Sequence, residues 1–354
     1  MPQCAQISDT GTIGSFREVN ACPACSAVGA RAVGSSAPGW NEEVSGKVFR
    51  HPEYEVRYCD ACGLYFKSHV FTDEALSEHY RVLPFETFES RELFPTDRLI
   101  LNTIASAEPG AKVLDFGCGV GRILGHLTGR HCCYGVELNA RSSEAAKAKG
   151  IMILPESAVT SRAEDDFDFV ILSDVFEHLP NPLPCLRMLR EALAPSGALI
   201  ISTGNGDAVR CEEYLSQFWY FRALGHLQML SPKHLRWCAT QLNLTLTDCS
   251  ATSHYITPLL HQFRQHVQTW AFQQFHLRPR AWFTRVARLL PRIRCAEHWP
   301  VPPAITCTPD HLVAVLRNPP RACVCHRAGM DFRRSHSFNF QKTFDDLFRK
   351  EPSG

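Results

Sequence analysis

Four cysteines in two pairs, Cys22-Pro-Ala-Cys25 and Cys59-Asp-Ala-Cys62, carry the plainest chemistry in the chain. Two such knuckles supply the four thiolates of a closed tetrahedral zinc site, structural rather than catalytic because no coordination position stays open. Gly63 suits the turn after the second knuckle, and Glu53 to Tyr58 alternates like a strand running into it. A redox pair or four unrelated buried thiols are the other readings. Cys323-Val-Cys325-His326 has no partner pair and reads as coincidence.

A second constellation is Asp115-Phe116-Gly117-Cys118-Gly119-Val120-Gly121, followed by Glu137 and Leu138. Glycines let backbone N–H groups approach a ligand closely and reach positive φ. A carboxylate at Glu137 can accept hydrogen bonds from both hydroxyls of a ribose. The spacing is Gly-x-Gly-x-Gly rather than the dinucleotide Gly-x-Gly-x-x-Gly, and Asp115 before it suits a cationic amino-acid ligand better than a pyrophosphate. His178 and His226 are candidate general bases, because imidazole titrates near neutral pH. Each also reads as a residue that merely hydrogen-bonds a loop.

The elements that must position these residues follow an alternating pattern. Val113–Phe116, Cys132–Leu138, Phe167–Ser173, Ala198–Thr203 and Leu244–Cys249 read as short buried strands. Between them, Arg122–Thr128, Ala140–Lys149, Pro182–Ala194 and the run from Ser231 through Gln241 read as helices. Such alternation predicts an α/β fold with a parallel sheet covered on both faces, and a ligand at the carboxyl ends of its strands.

These segments resemble the class I S-adenosylmethionine-dependent methyltransferases. Val113 to Gly121 is similar to their first motif, Phe167 to Leu179 to their fourth-strand motif, and Leu193 to Ser202 to the helix-turn-strand that follows. Gly225 to Ser231 resembles the segment before the sixth-strand helix of the ubiquinone-biosynthesis type, many of whose members carry an N-terminal zinc-ribbon module. The resemblance covers about 97–250 and resumes at Asp310–Arg317. It implies a Rossmann-like seven-stranded sheet with the last strand antiparallel. It also implies that Asp115 and Gly117, Cys118, Gly119 and Gly121 line the methionine moiety of the cofactor and that Glu137 holds its ribose, with Phe116 and Leu138 beside them. Ser173, Asp174 and Val175 would close the site near the methyl group, and Ser157, Ala158 and Glu164 are the options for the adenine contact. Tyr214, Trp219 and Tyr220 would either gate an acceptor pocket or belong to the core.

Composition bounds the rest. The 354 residues are 45% hydrophobic, enough for a large core without disulfides. No apolar run is long enough to span a bilayer, and the first residues carry no secretory-signal pattern, so the expected compartment is the cytosol. Residues 1–253 hold 22 basic and 30 acidic side chains, whereas 254–354 hold 15 and 6. The basic third contains two amphipathic stretches, Leu260 to Phe275 and Trp282 to Ile293, the second with Arg285, Arg288 and Arg292 opposite its apolar face. Such an insertion could be a lid over the acceptor, a peripheral membrane contact through 259–294, or a grip on phosphates. Phe338, Phe340, Phe344 and Phe348 in the tail could cap it.

The expected order is a zinc-ribbon-like module (1–68), a helical connector (69–110), a methyltransferase core (111–252), a basic helical insertion (253–304), the last core strand (305–318) and a tail (319–354). The expected activity is methyl transfer to an O, N or C atom of a small-molecule or glycan- or lipid-linked acceptor. RNA methylation and a non-catalytic adaptor at a membrane or partner surface are the alternatives.

Overall fold

A computed structural model describes residues 12–83, 90, 92–160, 167–208, 212–299, 303, 306 and 308–319. Glu164, the Cys323–His326 cluster and the tail phenylalanines lie outside the described residues.

The central sheet has seven strands, numbered here in chain order: β1 (Lys112–Phe116), β2 (Cys132–Val136), β3 (Met152–Ile153), β4 (Phe167–Ser173), β5 (Leu193–Gly204), β6 (Thr245–Thr252) and β7 (His311–Arg317). Their order across the sheet is β3-β2-β1-β4-β5-β7-β6. The first five strands are parallel, and β7 runs antiparallel to both of its neighbours. The seven strands and the reversed last one are those the family resemblance implies.

Near-continuous apolar strands follow from burial on both faces. Leu114, Val170, Leu172, Leu199 and Ile201 point into one core, packed against Leu186 and Leu189 of the helix Pro182–Glu191 and Leu235 of the helix Pro232–Gln241. Val113, Ile171, Ile200, Val313 and Val315 point the other way, against Ile100 and Ile104 of the helix Pro95–Ala105. The strand order reverses between β1 and β4, so the carboxyl ends of these two strands flank the switch-point crevice.

Two local expectations fail. The stretch 122–128 forms only a 3₁₀ turn at Leu124–His126, because Gly121, Gly125 and Gly129 withhold the backbone preference a longer helix needs. The run from Trp282 is likewise broken, into helices Trp282–Ala287 and Pro291–Arg294, since Pro291 has no N–H to continue the ladder and starts a new turn instead. The first half of the insertion is one helix, Leu259–Leu277. Its Ala271 and Phe275 pack with Ala287 and Ala296, whereas Leu259, Leu260 and Phe263 stay exposed. Among the described residues no helix is long and apolar enough to cross a membrane.

The N-terminal cysteine region is built into the core. Cys22, Cys59, Cys62, Leu64 and Phe66 belong to the same apolar cluster as Leu199 and Leu235. The strand Tyr65–Lys67 pairs with Gln228–Met229, which arrives from the far side of β5 in sequence. Ser231 caps the helix Pro232–Gln241 by accepting from His234 N, and its hydroxyl donates to Gly63 O at 2.6 Å. His234 Nδ1 also reaches Cys62 O at 3.1 Å.

Candidate active site

At the end of β1 the chain turns through Gly117, Gly119 and Gly121 at φ +85°, +53° and +71°, conformations that L side chains rarely adopt. A Cβ on Gly119 would meet nothing within 4 Å, so this glycine faces open space. A Cβ on Gly121 would stand 2.2 Å from Ile151 Cδ1, so that glycine is required for packing. Glu137, just past β2, braces the turn: one carboxylate oxygen accepts from Gly119 N at 2.9 Å and the other from Asn139 N at 2.7 Å. Asp115 is 3% exposed, and its Oδ1 has no protein partner. Burial, opposed in part by Arg122, raises its carboxyl to about 7.

The other expected residues around the turn differ in what they offer. Phe116 and Cys118 are buried in the two cores, where Cys118 fills the space beside Gly135, so only their backbones face the crevice side. Leu138 is 40% exposed. Ser173 Oγ is buried without a partner, and Val175 packs against Gly117. Asp174 adopts φ +53°, a strained conformation for a residue with a side chain. Its N–H donates to Ser202 O at 2.9 Å, which fixes the loop to the end of β5.

His178 and His226 come together, with ring centroids 4.9 Å apart. His178 Nδ1 lies 2.8 Å from the Tyr80 hydroxyl and 3.0 Å from Gly225 O. His226 Nδ1 bonds Tyr220 O at 2.8 Å. Burial depresses His178 to about 4, and burial with His178 beside it holds His226 well below the ordinary range. Both rings are therefore neutral near pH 7. Beneath them the wholly buried Glu177 accepts from the hydroxyls of Tyr220 and Thr203, the latter at 2.7 Å. The Tyr220 hydroxyl also accepts from Gly204 N at 3.1 Å. Tyr220 is thus part of the core network, whereas Trp219 clusters with the rings of His254 and Tyr255, which Phe94 also packs against. Tyr214 packs against Phe272 of the insertion, tying that helix to the site's rim.

Several polar residues here were not singled out from sequence. Lys67 is buried, donates to Ala223 O at 3.0 Å, and is lowered by burial to about 7. Arg122 pairs with the buried Asp97 at 2.8 Å and lies 4.4 Å above the Phe94 ring. Asp310 and His311, at the start of β7, sit beside Asp174 and His254. No local pattern marks these residues; for Asp310 and His311 alone a hint was available in their position at the start of the last strand.

The cysteine pairs also converge. Sγ of Cys22 and Cys62 are 3.5 Å apart, as are those of Cys25 and Cys59, and all four sulfurs lie within 4.8 Å of one another. The two knuckles have the same turn: Ser26 N donates to Cys22 O and Gly63 N to Cys59 O, with Ser26 and Gly63 both at positive φ.

With this geometry established, comparison with known proteins is decisive. Residues 87–248 match a family model described as a methyltransferase domain. This region is a methyltransferase domain of the class I S-adenosylmethionine-dependent type. A ubiquinone biosynthesis O-methyltransferase of Aeromonas salmonicida is 27% identical over 173 residues, which are 44% of this chain and 71% of that protein. Its counterpart in Xanthomonas campestris is 31% identical over 163 residues, 41% of this chain and 66% of that protein. Among solved structures, a SAM-dependent methyltransferase from Archaeoglobus fulgidus aligns with TM-score 0.44 and 17% identity, covering 68% of this chain and 99% of that one.

The methyltransferase's histidine pair depends on one glycine. A Cβ on Gly225 would lie 2.5 Å from the Tyr80 hydroxyl and 2.9 Å from His178 Nδ1. Gly225→Ala should therefore cost about 1–3 kcal/mol by urea denaturation, whereas Gly129→Ala, with nothing within 4 Å of its Cβ, should stay within about 0.5 kcal/mol of wild type.

Proposed function

We propose that this methyltransferase acts on a hydroxyl of a small-molecule acceptor held between the end of β4 and the Phe94, Trp219 and Tyr255 rings. The observation that carries the reading is the pair of neutral, buried imidazoles, His178 and His226, joined to those aromatic rings through Tyr220. The names of the O-methyltransferase relatives agree with it.

The residues around the first turn fit S-adenosylmethionine. An orphaned carboxylate oxygen on buried Asp115 suits the cofactor's cationic amino group, the open face of Gly119 admits the methionine chain, and Glu137, bonded to Gly119 N, places a carboxylate beside that opening for the ribose hydroxyls. When bound, the cofactor supplies a methyl group already activated on a sulfonium. Asp115 would hold its amino group and Glu137 its ribose, and Ser173, Asp174 and Val175 would border the space where donor and acceptor meet. Aligning the acceptor in line is the protein's main task. His226 or His178 would take up the proton that the acceptor hydroxyl gives up. Tyr80 and the Gly225 carbonyl hold the His178 ring, and Tyr220 O holds that of His226. Such positioned bases contribute about 10²–10⁴-fold.

We read the four cysteines as a structural zinc site. Thiolates about 2.3 Å from zinc lie about 3.8 Å apart on a tetrahedron, and the paired sulfurs at 3.5 Å come close to that.

Three outcomes test these assignments. Calorimetric titration with S-adenosylhomocysteine should give micromolar binding, weakened about ten- to a hundred-fold in Glu137→Ala. No binding to folded wild type would end the cofactor assignment. Asp115 is protonated below about pH 7 and charged above it, so affinity should fall as pH drops from 8 to 6. Asp115→Asn should bind weakly with a flat profile, and an equally steep slope in that variant would exclude Asp115 as the cause. Finally, the purified protein should contain one zinc per chain by elemental analysis, and Cys62→Ser should lower both zinc content and melting temperature.

A further inference from the structure

Two clusters of carboxylate and imidazole groups border the proposed acceptor site, and they differ in one respect. In the Glu177–His178–His226 cluster both carboxylate oxygens accept hydroxyl protons, and each ring has an Nδ1 partner. In the second cluster, Asp174 with His254 and His311, the facing atoms are orphaned. Asp174 Oδ1, His254 Nδ1 and His311 Nε2 are all buried without a hydrogen-bond partner. His311 has no side-chain exposure at all.

The fold assembles this cluster deliberately from three strands. Asp174 follows β4, and His254 lies two residues past β6. Because β7 is antiparallel, its first residue reaches the same edge, where His311 pairs with Gly204 and with Thr252. Asp310 then clamps both histidines: one oxygen accepts from His254 N at 2.8 Å and bonds His311 Nδ1 at 3.0 Å. With its Nδ1 proton given to Asp310, a neutral His311 presents a bare lone pair from Nε2. That lone pair faces the Asp174 carboxylate 3.8 Å away. With His311 neutral, two acceptors face each other in a buried site, and a proton on Nε2 or a cation between them would satisfy both.

We propose that Asp174, His254 and His311 form a divalent-cation site whose remaining coordination positions take the acceptor's oxygen. Metal-bound histidine commonly gives its other ring proton to a carboxylate, which is the part Asp310 plays as a positioning residue. Two donors each about 2.1 Å from one ion stand at most about 4.2 Å apart. The 3.8 Å separation of Asp174 and His311 already satisfies this, and the whole set, within 4.8 Å, needs only a small side-chain movement. A mixed imidazole and carboxylate set suits transition-series divalent ions better than magnesium. The cation's role deepens the hydroxyl-acceptor reading and rests on it, because coordination would draw the proton from that hydroxyl; the binding itself does not.

The test is titration of zinc-loaded, full-length protein with Mn²⁺, following free Mn²⁺ by electron paramagnetic resonance. Manganese is chosen because thiolates compete poorly for it. One saturable site per chain is expected, weakened at least about tenfold in His254→Ala and unchanged in His261→Ala or His226→Ala. S-adenosylhomocysteine binding to His254→Ala should persist, which shows that the variant is folded. Absence of a saturable site at millimolar Mn²⁺ overturns the proposal and leaves a proton on His311 as the bridging charge. So does a site that survives His254→Ala or disappears in His226→Ala. If S-adenosylhomocysteine binds wild type while manganese does not, the cation site falls and the methyltransferase reading stands.

Discussion

The reversed strand β7 is the constraint on which the rest of the molecule depends. It is wedged between β5 and β6 with an antiparallel ladder to each, the one to β6 shifted in register between Leu246 and Asp248, and its Leu312, Val313, Ala314, Val315 and Leu316 are buried on alternating faces. This pairing closes both cores at once. It also fixes which residues stand at the ligand edge: a parallel strand contributes its last residues there, and β7 contributes its first. Asp310 and His311 sit at that edge only because of this reversal. A one-residue slip in the ladder would turn His311 to the other face, away from Asp174.

Burial dominates the electrostatics of the crevice. Asp115, Glu177 and Tyr220 are all raised, and His178, His226 and His254 all lowered, with burial the largest cause each time. His311 is the exception, because bonded Asp310 and nearby Asp174 outweigh its burial and raise it. His178 and His226 are therefore neutral near pH 7 in a low-dielectric wall, where a developing charge is felt strongly.

What could be read from sequence was whatever lies within a few residues. The glycine turn after β1, the acid Glu137 after β2 and the two cysteine knuckles are contiguous motifs, and their geometry is local. The alternation of strands and helices was equally legible, since both faces of the sheet demand apolar runs. The breaks at Gly125 and Pro291 were also written in the sequence, but leucine spacing masked them. Tyr80, Lys67, His254 and Asp310 were not legible. Each acquires its place through partners far along the chain, as Tyr80 does with His178 and His254 with Asp310. Only the pairing of distant strands reveals such neighbours.

The docking of the cysteine knuckles on the helix Pro232–Gln241 has a consequence for how the chain must be made. The four sulfurs come from residues 22–62, so they can gather early in synthesis, whereas Ser231 and His234, which hold Gly63 and Cys62, lie 168 and 172 residues beyond them. A nascent chain leaving the ribosome therefore carries its knuckles, with Leu64 and Phe66 uncovered, through the synthesis of nearly half the polypeptide. Early metal capture would protect those thiols from oxidation over that interval, and the final docking would be among the slower, long-range steps of folding.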